Sequence, residues 1–331
     1  MAERERPGRW STAEMEVLAR ALLRAPSVHN VQPWVLEFAD ERFLLLERRD
    51  LTLPEHDPLG RDRVMSCGAA LANLELAVRV LGYEPRTETF PDPGRPEVVA
   101  AVEPGERAHP SAEDLHRYSA IERRRSYRKR FSARRVLRQR IGELIATAAS
   151  AGVEARPILD ELELSRVAEL LEFSAEAFQH DQGYQRELAL WTIRDEETHR
   201  HGVGLAFTAL PPGSLPWAGL VRASTALPDS AVLKRRLAEE TLLVFLTLDD
   251  TRHDHLRAGY ALQTTWLDAV DSGLVGSILT QPLHLPEVRS ALGDDLELPG
   301  FAQALMRFGY PSGTVPSSPR RAVDEVLGRG F

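Results

Sequence analysis

Residues Ala25–Trp34 read APSVHNVQPW. Two prolines, a Ser, an Asn, a Gln and a Trp crowd ten positions directly after a helical pattern. A surface turn needs only one or two such residues, so this stretch is expected to do more than reverse the chain. Upstream, Ser11 precedes Glu14 at capping-box spacing, Val17, Leu18, Ala21 and Leu22 recur at helical period, and Pro26 ends the helix. Downstream, Trp34–Phe38 and Phe43–Glu47 predict a hairpin across Ala39–Arg42.

Farther along, Arg61–Leu81 predicts an amphipathic helix stopped by Gly82. Strands are expected near Arg86–Phe90 and Val98–Val102. A helix is expected from about Ser111 into RRRSYRKRF, Arg123–Phe131, and another over Arg134–Ser150. Val153–Leu159 reads as a strand, and Glu161–Ile193 as a long helix broken around Asp181–Gly183. The Gly-, Pro- and His-rich span 194–220 reads as a flap. Thr241–Leu248 predicts a buried strand, Asp254–Ser272 a helix ending at Gly273, and Leu274–Leu279 and Leu305–Tyr310 two more strands. The Pro- and Ser-rich tail is expected to be briefly helical. CGAALANLELAVRVLGY (67–83) echoes AGYALQTTWLDAVDSGL (258–274). The echo suggests two related halves, although any two amphipathic helices share such features.

The chain has 331 residues, 43% hydrophobic and 27% charged, ordinary for a globular protein. A net charge of −8 argues against a general polyanion binder. Lys129 and Lys234 are the only lysines, so no single arginine run carries weight alone. Cys67 is the only cysteine, which excludes an internal disulfide and points to a reducing, cytoplasmic setting. The charged start, MAERERPGRW, has no apolar core of a secretory signal, and no apolar run is long enough for a membrane span. No GxGxxG or Walker A loop occurs. The histidines of HRH (199–201) and DDTRHDH (249–255) lack metal-ligand spacing and read as solvated loop residues, so no metal is expected from them. The basic run Arg117–Arg140 has too few aromatics for a nucleic-acid surface.

RRRSYR, Arg123–Arg128, supplies guanidinium forks and a hydroxyl suited to phosphate. In so arginine-rich a chain it reads first as a solvated helix end. Its combination with APSxxNxQPW, the helix GAALANLELAVRVLGY and the late PRR resembles the nitroreductase family of FMN-binding proteins. In that family RRSxR and PSxxNxQPW come from different subunits and meet at one flavin. Here their order is inverted and about a hundred residues separate them, so each half keeps one element. This arrangement resembles the Acg-like branch.

The resemblance implies an α+β, nitroreductase-like fold: two halves, 1–112 and 113–331, forming an intramolecular pseudo-dimer with antiparallel-rich sheets flanked by helices. It implies one FMN per chain. Pro26, Ser27, Val28 and Asn30 would line it, with Gln32, Pro33 and Trp34 directing the loop. Arg124, Arg125 and Ser126 match the phosphate side, Arg128 the flavin N1–C2=O edge, and Arg320 and Arg321 the C-terminal clamp. Thr280 and Gln281 hold the position from which a backbone N–H reaches flavin N5, although LTQP differs from the family pattern. The implied activity is NAD(P)H-driven hydride transfer through N5 to a nitro, quinone or enone substrate, without a catalytic side chain. The alternatives are FMN sequestration behind the flap, or a specialised biosynthetic redox step. The expected partner is a small molecule, not nucleic acid or membrane. Fusion lets a monomer suffice and leaves a homodimer open.

Overall fold

The computed structural model describes residues 10–193, 202–206, 220–315 and 317–328. The expected flap over 194–220 lies outside these residues except at 202–206 and 220, and so do His199 and His201. Helix α1 (Thr12–Leu23) begins at the expected capping box: Ser11 and Glu14 bond reciprocally. Strands β1 (Trp34–Ala39) and β2 (Arg42–Glu47) turn at Asp40 and Glu41, both at left-handed φ (51° and 63°), as a tight two-residue hairpin demands. Helix α2 (Arg61–Val80) stops at Gly82, φ 90°. Strands β3 (Tyr83–Thr89) and β4 (Val98–Arg107) complete an antiparallel sheet in the order β1-β2-β4-β3.

Helix α3 (Ala112–Arg123) has a second capping box, Ser111 with Asp114. The helix expected to run through RRRSYRKRF ends instead at Arg123, and Arg124–Phe131 is not helical. The reason is pairing: Ser126 bridges Gly276 in parallel, and the Tyr127 N–H donates to Gly276 O at 2.8 Å. Helix α4 (Arg138–Ser150) likewise starts four residues later than expected. The Ser132 N–H donates to Tyr310 O and the Arg134 guanidinium lies 3.8 Å over the Tyr310 ring, which holds the lead-in segment off the helix.

The second sheet contains β5 (Glu154–Pro157), then, after helices α5 (Glu161–His180) and α6 (Gln182–Leu190), the strand β8 (Thr241–Thr247). The expected break falls at Asp181, whose carboxylate caps α6. Between them, β6 (Thr192–Ile193) and β7 (Leu205–Ala206) pair in parallel, and α7 (Ser230–Leu237) was not foreseen from the sequence. Helix α8 (Arg252–Asp271), β9 (Val275–Leu279), the unforeseen α9 (Pro286–Asp295) and β10 (Phe301–Gly309) follow, giving the order β5-β8-β10-β9, all antiparallel. Every residue of β8 is buried because both faces are covered. Leu243 and Phe245 join the main core, and Leu242, Val244 and Leu246 join a second core under α5, α7 and α9.

The main core is continuous across both sheets: Leu22, Trp34, Leu36 and Leu74 share it with Phe245, Trp266, Met306 and Phe308. At its centre α2 and α8, the two echoing helices, touch backbone to backbone. A Cβ on Gly68 would lie 1.9 Å from Leu256 O, and one on Gly259 1.8 Å from Met65 O. The chain also exchanges sheet edges. Leu36 N–H donates to Val326 O (2.9 Å) and Gly328 N–H to Leu36 O (2.8 Å), so the C-terminal segment extends the first sheet at β1. A buried carboxylate adds a further tie: Glu47 on β2 pairs with Arg63 on α2 (2.5 Å) and with Arg252 on α8 (2.8 Å).

Gly259→Ala is expected to cost about 3 kcal/mol, because a methyl group has no space between the two backbones. Gly142→Ala, on an exposed face of α4 with nothing near its Cβ, is expected to stabilise by about 0.5–1 kcal/mol. Urea unfolding of both variants tests the contrast. Burial works to raise the Glu47 carboxyl, but the Arg63 and Arg252 hydrogen bonds hold it below its ordinary 4.5. A folded pKa below the unfolded one gives stability that is complete above the unfolded value and is lost as pH falls through the folded one. The stability gap between the native chain and Glu47→Gln should therefore shrink below about pH 4.5.

Candidate functional site

The stretch Ala25–Trp34 folds as a short 3-10 turn, Val28–Asn30, followed by a sharp entry into β1. Three of its residues take left-handed φ: His29 at 49°, Asn30 at 57° and Gln32 at 54°. Such conformations are costly for non-glycine residues and persist only where surroundings enforce them. The Gln32 N–H donates to Ser27 Oγ (2.9 Å), and the Asn30 N–H to Ser27 O (3.0 Å). Asn30 Nδ2 donates to Gly202 O, Gly204 O and Pro319 O, while Gln32 Nε2 donates to Gly202 O at 2.7 Å. Gly202 lies against the backbone of Arg320, where a Cβ would stand 2.1 Å from Arg320 O. The loop, the segment at Gly202–Gly204 and the tail thus meet at one buried junction. Trp34 is buried as core packing, as its apolar bulk predicts.

Beside this loop lies a cleft whose space, counted with its open mouth, is about 800 Å³. Its first wall is Pro26, Ser27, Val28 and His29. Its floor is the glycine crossing, with Met65, Ser66 and Ala69 of α2 and Gly259, Leu262 and Trp266 of α8. Ser126 and Arg128 line another side, and Thr280 and Gln281 close the far end. The structure therefore brings together Pro26, Ser27, Val28, Ser126, Arg128, Thr280 and Gln281. Asn30 does not line the cleft; its amide is taken up by the junction.

Arg124, Arg125 and Arg320 gather at the cleft's edge with Arg24, which sequence reasoning missed. Arg124 is 4% exposed and stacks 4.6 Å over the Trp266 ring, and one guanidinium nitrogen donates to Arg24 O (3.0 Å). Arg320 donates to Asn30 Oδ1 (3.0 Å) and to Arg24 O and Ala25 O (3.4 Å each). Arg125 bonds the carbonyls of Glu122 and Arg124. Arg321 turns away to Glu325 (3.3 Å) and Val31 O. Among the described residues, the carboxylate bonded to the cluster is Glu122, 2.9 Å from Arg24 and itself exposed.

Burial, then repulsion from Arg320, Arg125, Arg24 and Arg128, pushes the Arg124 guanidinium well below its ordinary value. Burial brings Arg128 down to about 10, and burial with the charges of Arg24 and Arg125 does the same to Arg320. The Nε donors of Arg124 and Arg320 are buried without a partner. A group of enclosed like charges with unused donors is unfavourable alone and is relieved by an anion with several acceptor oxygens.

A second polar group lines the cleft: His29, His56 and Asp62, backed by His284. These residues are scattered through the chain and carry no local spacing signal. The histidines of 249–255 are engaged elsewhere, His255 with nearby Asp250 (2.9 Å) and His253 with Thr89 on β3 (3.2 Å).

No family model matches the chain. Among curated proteins it is 30% identical, over 313 residues, to the Mycobacterium tuberculosis (strain ATCC 25618 / H37Rv) protein named "Putative NAD(P)H nitroreductase Rv3131", covering 92% of this chain and 88% of that one. The chain belongs to the nitroreductase family. Within it, the protein named "Putative NAD(P)H nitroreductase acg" from the same organism is 29% identical over 313 residues, covering 92% of each chain. Among solved structures, the FMN-dependent nitroreductase NfnB from Mycobacterium smegmatis in complex with NADPH superposes on 66% of this chain and 99% of its own, with a TM-score of 0.43 and 14% identity.

The chain freed of bound anions should be stabilised by inorganic phosphate beyond the effect of chloride at equal ionic strength. Saturation at about 100 times the dissociation constant is worth about 2.7 kcal/mol. Arg124→Met should abolish the increment in a thermal melt, because it removes the central cation while keeping apolar bulk against Trp266.

Proposed function

We propose that the chain is an FMN-dependent NAD(P)H oxidoreductase, with the flavin ring in the cleft between Pro26–His29 and the α2–α8 crossing. The observation that carries this reading is the cluster of Arg124, Arg320, Arg125 and Arg24 packed at Trp266, in a cleft wall that Arg128 also lines, with the buried Nε donors of Arg124 and Arg320 unused. A phosphate ester attached to a flat aromatic system fits both features. The family names of the relatives supply the redox class. Arg124, Arg125 and Arg320 would hold the phosphate. Arg320, not Arg321, is the tail's contribution, since Arg321 is engaged with Glu325.

When bound, FMN supplies hydride transfer between NAD(P)H and an electron-poor acceptor such as a nitroarene, quinone or enone. The chain's own residues then orient and tune. Arg128, enclosed and without a hydrogen bond or ion pair among the described residues, favours added negative charge on the ring edge nearest it. Pro26, Ser27 and Val28 cover one side of the ring, and Thr280 and Gln281 present backbone near its far edge. The first half, 1–112, contributes the covering loop, and the second, 113–331, contributes the arginines and tail. One chain therefore builds one site and can act as a monomer.

The purified chain should carry about one FMN, read from its visible spectrum and the released pigment. Arg124→Ala and Arg320→Ala should each weaken FMN binding by about 10- to 100-fold, the loss of one charge-assisted bond. A colourless chain that takes up no FMN would remove this reading. Bound FMN without NAD(P)H oxidation in the presence of a quinone or nitroarene would replace turnover by sequestration.

A further inference from the structure

His56, Asp62 and His284 come from three separate places. His56 sits in the loop before α2, Asp62 in the first turn of α2, and His284 in the 3-10 turn Gln281–His284 after β9. The loop is clamped by Glu187 of α6, which accepts the backbone N–H of Glu55 (3.0 Å) and of His56 (2.9 Å). Arg61 ties α2 to the 3-10 turn by donating to Leu283 O (3.2 Å). The backbone segments that carry the three side chains are thereby held in place, while the side chains keep rotational freedom.

Those polar ends are poorly served by one another. Asp62 Oδ2 has His284 Nε2 at 3.0 Å and His56 Nε2 at 3.5 Å, yet neither nitrogen meets it with hydrogen-bond direction. Both ring nitrogens of His56, Nε2 of His284 and Oδ1 of Asp62 are buried without a hydrogen bond. The Thr280 hydroxyl donates to the Asp62 carboxylate. Leaving several buried polar atoms unpaired costs about 1–3 kcal/mol each, so the arrangement asks for a further partner.

We propose that His56, Asp62 and His284 form a binding site for a divalent cation of the zinc class, with its open coordination position facing the cleft. One ligand atom from each residue lies within 4.8 Å of the others. Zinc bonds of about 2.0–2.2 Å to imidazole and carboxylate require donors roughly 3.3 Å apart, a change that side-chain rotation can supply. Two imidazoles and one carboxylate are a borderline-soft donor set with one tetrahedral position left free. His56 and Asp62 line the cleft, so that position opens toward whatever occupies it. Arg61, 4.0 Å from Asp62, opposes a dication, and its guanidinium is held by Leu283 O. The site does not depend on the flavin reading.

The test uses the full chain without a polyhistidine tag, stripped with a chelator and titrated calorimetrically with zinc chloride. About one saturable equivalent is expected. Asp62→Asn and His284→Gln should each weaken it beyond the roughly 10- to 100-fold typical of outer-shell changes. Absence of saturable binding, or equal binding by both variants, overturns the proposal. X-ray absorption at the zinc edge of the native chain decides the matter should a variant misfold. A shell of two imidazoles and one carboxylate supports the site, and a shell containing sulfur or oxygen alone overturns it.

Discussion

Backbone contact between α2 and α8 is the constraint on which the rest of the molecule rests. Gly68 and Gly259 occupy matching positions in the two echoing segments, and each accepts the other helix where a side chain would stand. Close-packed interiors transmit such a contact outward, because neighbouring side chains have no slack to absorb a shift. The crossing fuses the cores of the two sheets into one and sets the cleft floor, where Met65, Ala69, Leu262 and Trp266 meet. Edge exchange reinforces it: the tail completes the first sheet at Leu36, and the Ser126–Tyr127 segment borders the second at Gly276.

The same geometry produces the electrostatic character of the site. Ending α3 at Arg123 frees Arg124–Arg128 to run alongside β9, which turns Ser126 and Arg128 toward the cleft and Arg124 onto Trp266. The tail that completes the first sheet also carries Arg320 to the same edge through Asn30. Cations from distant parts of the chain are thereby gathered, and Arg124 and Arg320 buried, with Glu122 as a paired carboxylate at the rim. Asn30 and Gln32 spend their amides on holding the loop, the segment at Gly202–Gly204 and the tail together.

Much of the architecture was legible in the chain itself. Capping boxes at Ser11 and Ser111, the stops at Gly82 and Gly273, the Asp181 break and the apolar run of β8 are local signals, and each element formed where its signal stood. The extent of RRRSYRKRF was misread because its helical propensity is local while its pairing with Gly276 is not. Helices α7 and α9 escaped notice because their apolar faces become meaningful only against α5 and the second sheet.

Local sequence by itself determined most of the elements and the short motifs whose family resemblance implied the α+β class, since caps, turn residues and periodicity act over a few positions. Tertiary structure alone decided which arginine of the PRR pair joins the cationic cluster. It also decided that Asn30 supports the cleft from behind, and that His56, Asp62 and His284 face one another. Those outcomes depend on contacts between segments hundreds of residues apart, where burial and mutual charge, not local propensity, select the arrangement.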